Sequence, residues 1–146
     1  MSRYAYCIFC DDIRQEVGHK MSIMGIYLSE LHVTVVPVVL PKLSIAIFCN
    51  TELDNPFNSL AIRVTSDGAV LQESTIQQAD LQKMQSELTQ KSSTEDPLKL
   101  ISIGTQFHLI PFAIEKAATL IVTVIADGTE MIAGKLRIKH ISNPAL

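Results

Sequence analysis

Tryptophan is missing from the 146 residues, aromatic residues make up only 5%, and charged residues only 18%. So few rings cannot build the base-stacking platform of a ribonucleoprotein-type sheet. An exposed tryptophan for sugar stacking is excluded outright, although Tyr4 and Tyr6 share a strand face and form the one small platform the sequence offers. No run of basic residues occurs, and a net charge of −3 with a pI near 5.7 lacks the electrostatic footprint of nucleic-acid binding. The six glycines stand singly and no G-x-x-x-x-G-K-[ST] occurs, which removes a phosphate-cradling loop. No G-x-S-x-G nucleophile elbow is present either.

Long apolar runs are also lacking. The longest nearly uncharged stretch, VTVVPVVLPKLSIAIF (33–48), is broken by Pro37, Pro41 and Lys42 and is too short for a membrane helix. The opening MSRYAYC has neither the apolar core nor the cleavage site of a signal peptide. Three cysteines, Cys7, Cys10 and Cys49, leave one unpaired in any disulfide scheme. The expectation is a soluble cytoplasmic protein with no membrane and no nucleic-acid partner.

What is there is short, β-branched and periodic. YAYCIFC (4–10) and KMSIMGIYL (20–28) flank the polar link DDIRQEVGH and read as a hairpin turning at Gly18. LAIRVTSDGAVLQE (60–73) and LIVTVIADGTEMIAGKLRIKHI (120–141) are hairpins around Asp67-Gly68 and Asp127-Gly128, because Asp-Gly between alternating apolar runs favours the tight turn. In 135–141, Leu136, Ile138 and His140 face one way and Lys135, Arg137, Lys139 and Ile141 the other. LIVTV and LSIAIF are apolar at nearly every position, which predicts strands covered on both sides by a second sheet, or on one side by a neighbouring subunit. Within 74–90, Leu81, Met84 and Leu88 fall at i, i+3, i+7, the period of a short amphipathic helix with Ser74 or Thr75 as its cap. The prediction is an all-β, antiparallel, Ig-like β-sandwich of seven to nine strands, one domain over 1–146, with one short helix in 74–90.

The stretch CDDIRQEVGHKMSIMGIY (10–27), with LPKLSIAIF (40–48) and LIVTVIADGTEMIAGKLRI (120–138), resembles a family of small uncharacterised bacterial and phage-associated proteins. The resemblance implies an Ig-like sandwich and carries no activity across. His19 stands where that pattern has glycine before Lys20.

Candidate chemistry concentrates near the N-terminus. Cys7-Ile8-Phe9-Cys10 has metal-ligand spacing, but inside a strand residues three apart point to opposite faces, and no second ligand pair accompanies it, so no metal and no cofactor are expected. Asp11, Asp12 and Glu16 form an acidic cluster of the kind that serves Mg²⁺ or acid–base work, set against the simpler reading of strand-end carboxylates paired with Arg14 or Lys20. His32 and His108 sit in apolar strands, where a hydrogen-bonded structural role is the commoner one. The hydrophobic fraction of 47% and a mean hydropathy of +0.26 are high for a chain that must wet its whole surface. The sequence therefore points to a non-enzymatic interaction module that self-associates as a homo-oligomer, a dimer first, through apolar strands including Val35, Val36 and Val38. The alternative is a small-ligand or nucleotide-binding protein using Asp11, Asp12, Arg14 and Lys20 with Arg63. A metal-dependent hydrolase built on 11–16 is the weaker alternative.

Overall fold

A computed structural model describes residues 3–142. One sheet has four strands in the order β2 (Lys20–Tyr27), β1 (Tyr4–Glu16), β5 (Leu43–Glu52) and β8 (Leu100–Leu109). The other has five: β3 (Glu30–Val33), β11 (Thr129–His140), β10 (Ala118–Ala126), β6 (Leu60–Ser66) and β7 (Ala69–Ile76). A two-stranded ribbon of β4 (Val38–Leu40) and β9 (Phe112–Ile114) and one helix, α1 (Gln78–Gln90), complete the described residues.

The fold is all-β, as the sequence predicts, and it is not a barrel. Strands β1, β5 and β8 stand in the A-B-E order of an immunoglobulin sandwich, and β6, β10 and β11 in its C-F-G order. Helix α1 occupies the place in the chain where strand D would run. The described residues form eleven strands rather than seven to nine, and β3 runs parallel to β11. The additional strands β3, β4 and β9 are four, three and three residues long, too short to show an alternation in sequence.

Both Asp-Gly hairpins form as predicted, with Asp67, Gly68, Asp127 and Gly128 all at positive φ, the conformation the right-handed twist of paired strands requires of a two-residue turn. The polar link 11–19 is a loop only at 17–19, since β1 runs on to Glu16 and pairs with Lys20. Helix α1 buries Leu81 and packs Met84 and Leu88 against the core at the predicted spacing. Ser74 and Thr75 do not cap it. They are held extended by pairing with Ile62 and Ala61, and the cap position is Gln77, which makes no side-chain cap bond.

Residues from both sheets share one core, among them Phe9, Ile45, Ile47, Val64, Val122 and Leu136. In β10, Leu120, Val122 and Val124 are fully buried while Ile121 and Thr123 between them are half-buried, so this run is fully covered on one side only. Strand β5 is buried on both faces. Of the valines expected at an interface, Val36 and Val38 lie against the core, and Val35 is 61% exposed.

Two groups of polar contacts lock the connection 53–59. The Gln85 side chain accepts from the Phe57 N–H at 2.7 Å and donates to its carbonyl at 2.8 Å, pairing a buried residue's backbone as a neighbouring strand would. Arg3 donates to Asp127 Oδ2 at 2.5 Å and to the Pro56 carbonyl at 2.8 Å, with its guanidinium over the Phe57 ring. Asp127 Oδ1 accepts from the Ser59 and Asn58 N–H groups at 2.7 and 3.0 Å. Burial pushes the Asp127 carboxyl upward, but the donors of Ser59, Arg3 and Asn58 outweigh it and hold the group below its ordinary value.

Replacing Gln85 with Ala strands the Phe57 N–H and carbonyl, and a loss of about 1–3 kcal/mol in urea unfolding is expected. Because the Asp127 pKa is depressed in the fold, its contribution is complete above about pH 4 and lost as pH falls through the folded value. Asp127→Asn is therefore expected to lower the melting temperature near neutrality and to flatten its decline in acid, read by thermal melts across that range.

Candidate functional site

The 10–27 stretch builds an elbow. Strand β1 pairs with β5 only as far as Cys10, opposite Ser44, and then continues with β2 as a free hairpin arm. Cys10 and Ile13, three residues apart, pack in the same small cluster with Ala46, so the strand's alternation breaks between them. The break falls at Asp11 and Asp12, across from Gly25 and Met24, and the Gly25 φ is +69°. A Cβ on Gly25 would collide with the Asp11 carboxylate, so glycine is required there by both conformation and space.

Beyond the elbow the arm folds across the outer face of its own sheet. Ile13 and Ile23 cover Ala46, and Met21 near the tip reaches Gln106 on β8, the opposite edge of the sheet from β2. That coverage buries the outer side of β5 at Ala46.

Of the predicted site residues Asp11 and Asp12 serve this bend, and the set is not gathered into one pocket. Asp11 accepts from the Tyr27 hydroxyl at 2.5 Å. Burial, reinforced by that carboxylate, raises the Tyr27 pKa. Asp12 accepts from Lys42 at 2.5 Å and from the Ile13 N–H at 2.9 Å, and the Lys42 bond holds its carboxyl below the ordinary value. Arg14 and Lys20 are exposed on the arm, and Lys20 lies opposite Glu16, about 17 Å along the strand from Asp11. Arg63 belongs to the other sheet, between Glu73 and Glu130 at 3.6 and 3.5 Å. Among the described residues no three His, Cys, Asp or Glu side chains are placed to hold a metal ion.

Cys7 and Cys10 point to opposite sides, Cys7 to the main core and Cys10 to the cluster under the arm. Burial pushes the Cys7 and Cys49 thiols up to about 12. The Cys7 Sγ lies 2.5 Å from where a Cβ on Gly134 would stand, so a bare glycine on β11 admits it between the sheets. Sequence reasoning did not find the pairing of Ser44 Oγ with His108 Nδ1 at 2.9 Å, which depends on β5 lying beside β8. Ser44 has no exposed surface, so a substrate cannot reach its hydroxyl.

The arm covers only part of the outer face. The part of the face beyond the arm carries exposed Tyr4 and Tyr6 of β1 and Ser102 and Gly104 of β8 around half-buried Phe48 and buried Asn50 of β5, none of them charged. Tyr4 and Tyr6 are 41% and 46% exposed, and Tyr6 stacks on Phe48 with ring centroids 5.0 Å apart. A cavity of about 740 Å³ opens beside this face between Glu52, Leu53, Asp54, Thr89, Lys99 and Leu100.

With the elbow, the sandwich and the open face described, the class is a mostly β protein of immunoglobulin-like strand order. A family model, DUF6941, a family of unknown function, matches residues 5–139, and the chain belongs to that family. No curated protein matches it. Among the described residues no helix is long and apolar enough to cross a membrane.

Gly25→Ala is expected to destabilise by about 2–4 kcal/mol, combining left-handed strain with displacement of Asp11. Gly18→Ala at the arm's tip, where φ is +88° and nothing lies within 4 Å, carries the strain alone, about 1–2 kcal/mol. Urea unfolding of the pair checks the difference. Faster amide exchange at Ile13 and Ile23 in Gly25→Ala, with the β6–β7 hairpin unchanged, would show that the arm has been released.

Proposed function

We propose that the protein is a non-enzymatic interaction module that self-associates by pressing the open half of the outer sheet face against a second copy. The observation that carries this reading is the pair of exposed tyrosines, Tyr4 and Tyr6, with Tyr6 stacked on the half-buried Phe48 beside residues that the arm covers. Tyrosine brings apolar area together with a polar tip and suits a surface that is wet in one state and covered in another. A two-fold pairing sets each patch against itself, so a charged patch would repel its copy, and this one carries no charge to do so.

Three strands about 4.8 Å apart, open over six residues or so, give roughly 300 Å² of patch, well below the ~800 Å² per partner of a tight complex. A weak, concentration-dependent dimer is the form that fits. Three unpaired, largely buried cysteines support a reducing cytoplasm, and the resemblance of the CDDIR opening supports a bacterial or phage setting. The ligand-binding alternative has less behind it. The cavity beside this face holds Glu52 and Asp54 beside its single lysine, Lys99, a poor lining for phosphates, and Asp11 and Asp12 are already engaged by Tyr27 and Lys42.

Sedimentation at rising concentration should show the mass climbing from 16.1 kDa towards twice that value. Tyr6→Glu should return it to a monomer, with the melting temperature of the dilute protein unchanged. A protein that stays monomeric at high micromolar concentration would refute the reading. Dissociation by Val35→Asp in place of Tyr6→Glu would move the interface to the 35–39 segment.

A further inference from the structure

Each of the two large sheets ends in two edge strands, and an edge strand carries a row of backbone N–H and C=O groups that a further strand can pair with. Three of the four edges are blunted. Helix α1 stands beside β8, its Met84 and Leu88 sharing a crevice with Ser102 and Ile103, while β2 is bent at Gly25 and β3 has only four residues. Strand β7 is different. It runs for eight residues, contains no proline or lysine, and among the described residues pairs with β6 alone. The extra residue Leu71, where the register with β6 shifts, disturbs only its first half. Beside this edge lies a groove of about 400 Å³ that runs from Ala69 and Leu71 to Phe112, Ala113 and Ile114 of β9. Phe112 and Ile114 are buried beneath it, and Leu71 is 43% exposed. The groove is on the inward side of the sheet, since Ala69 pairs with Ser66 in the row of Ile62 and Val64. Glu73, paired with Arg63, is on the outward side. Arg63 is shared between Glu73 and Glu130, and Asp67 and Glu115 face a single lysine, Lys116, so the surroundings of the edge are acidic on balance.

We infer that β7 is a docking edge for an extended segment of a partner protein, one with apolar side chains at alternate positions and lysine or arginine between them. Paired along β7, the segment becomes a sixth strand of the sheet, held by backbone hydrogen bonds. Successive side chains of a strand point to opposite faces. Every second one therefore enters the apolar groove toward β9, and those between lie on the outward side, where Glu73 meets a cation. A second copy's β7 does not supply this pattern. Its inward row offers polar Gln72 and Ser74, and its outward row brings another Glu73 in place of a positive charge. The edge belongs to the sheet opposite Tyr4 and Tyr6, so the inference does not rest on self-association through that face.

The probes are three synthetic heptapeptides with valine, leucine or phenylalanine at alternate positions and lysine between them, added to the full ¹⁵N-labelled chain at low concentration. At least one should shift the backbone amides of β7 and slow their exchange, with those of Tyr4 and Tyr6 unmoved. For that peptide, N-methylation of one alternate set of amides should abolish binding and of the other set should spare it, because only every second N–H faces β7. Glu73→Gln should weaken binding by about two- to fivefold, the range of a cross-strand ion pair, and leave the melting temperature unchanged. The N-methyl comparison alters only the peptide and stands whatever a substitution does to folding. If no peptide moves the β7 amides at millimolar concentration, or both N-methylated forms bind as the unmodified one does, the inference is overturned. Protection of the same amides on concentrating Tyr6→Glu without peptide would give the edge to a second copy and overturn it equally. A chain that stays monomeric yet binds the peptide along β7 refutes self-association and leaves this inference in place.

Discussion

The bend at Asp11 and Gly25 is the constraint on which the rest of the four-stranded sheet depends. A straight β1–β2 hairpin would extend into water past the end of β5 and leave Cys10 and Ala46 bare. Bent back, it lays Ile13 and Ile23 over them and buries the outer side of a central strand at Ala46. Each component of the bend answers to a separate requirement: a residue without Cβ where the Asp11 carboxylate approaches, a hydroxyl on Tyr27 to hold that carboxylate, and Lys42 to anchor Asp12 on the far side. An acidic pair that resembles catalytic equipment is, in place, a set of fasteners.

The opposite end of the sandwich is closed by different means. Where an immunoglobulin domain would add strand D, this chain sends a helix, and Leu81 enters the core from the side. The helix cannot offer backbone groups to the 53–59 connection, so the Gln85 amide supplies a donor and an acceptor in their stead. Arg3 and Asp127 then join the start of β1, the same connection and the β10–β11 turn. With one end clamped by the arm and the other by these polar contacts, the two halves of the outer face differ: one is roofed, the other open. The functional reading follows from that asymmetry rather than from any one reactive group.

Much of this could be read from residue types alone. Asp-Gly at 67–68 and 127–128 dictates tight hairpins because both residues tolerate positive φ, and alternation in the flanking runs sets which side chains face inward. The i, i+3, i+7 spacing of Leu81, Met84 and Leu88 marks the helix, and the odd cysteine count with strand-borne Cys7 and Cys10 argues against a shared ion. Local conformational preference and period account for these, and both are properties of short segments. The short strands β3, β4 and β9 escaped notice because three or four residues hold too little of a period, and Ser74 and Thr75 were drawn into β7 by pairing partners that no local rule supplies.

The sequence by itself determined the class of fold, the hairpins and the helix, since each depends on neighbours within a few positions. It also placed Tyr4 and Tyr6 on one face. Only the tertiary structure decided that LSIAIF is covered twice and LIVTV once, that Ser44 meets His108, and that β7 keeps a free edge beside the groove to β9. Those outcomes depend on where a bent hairpin arm comes to rest, and on strands brought together from opposite ends of the chain. Local pattern carries no information about either.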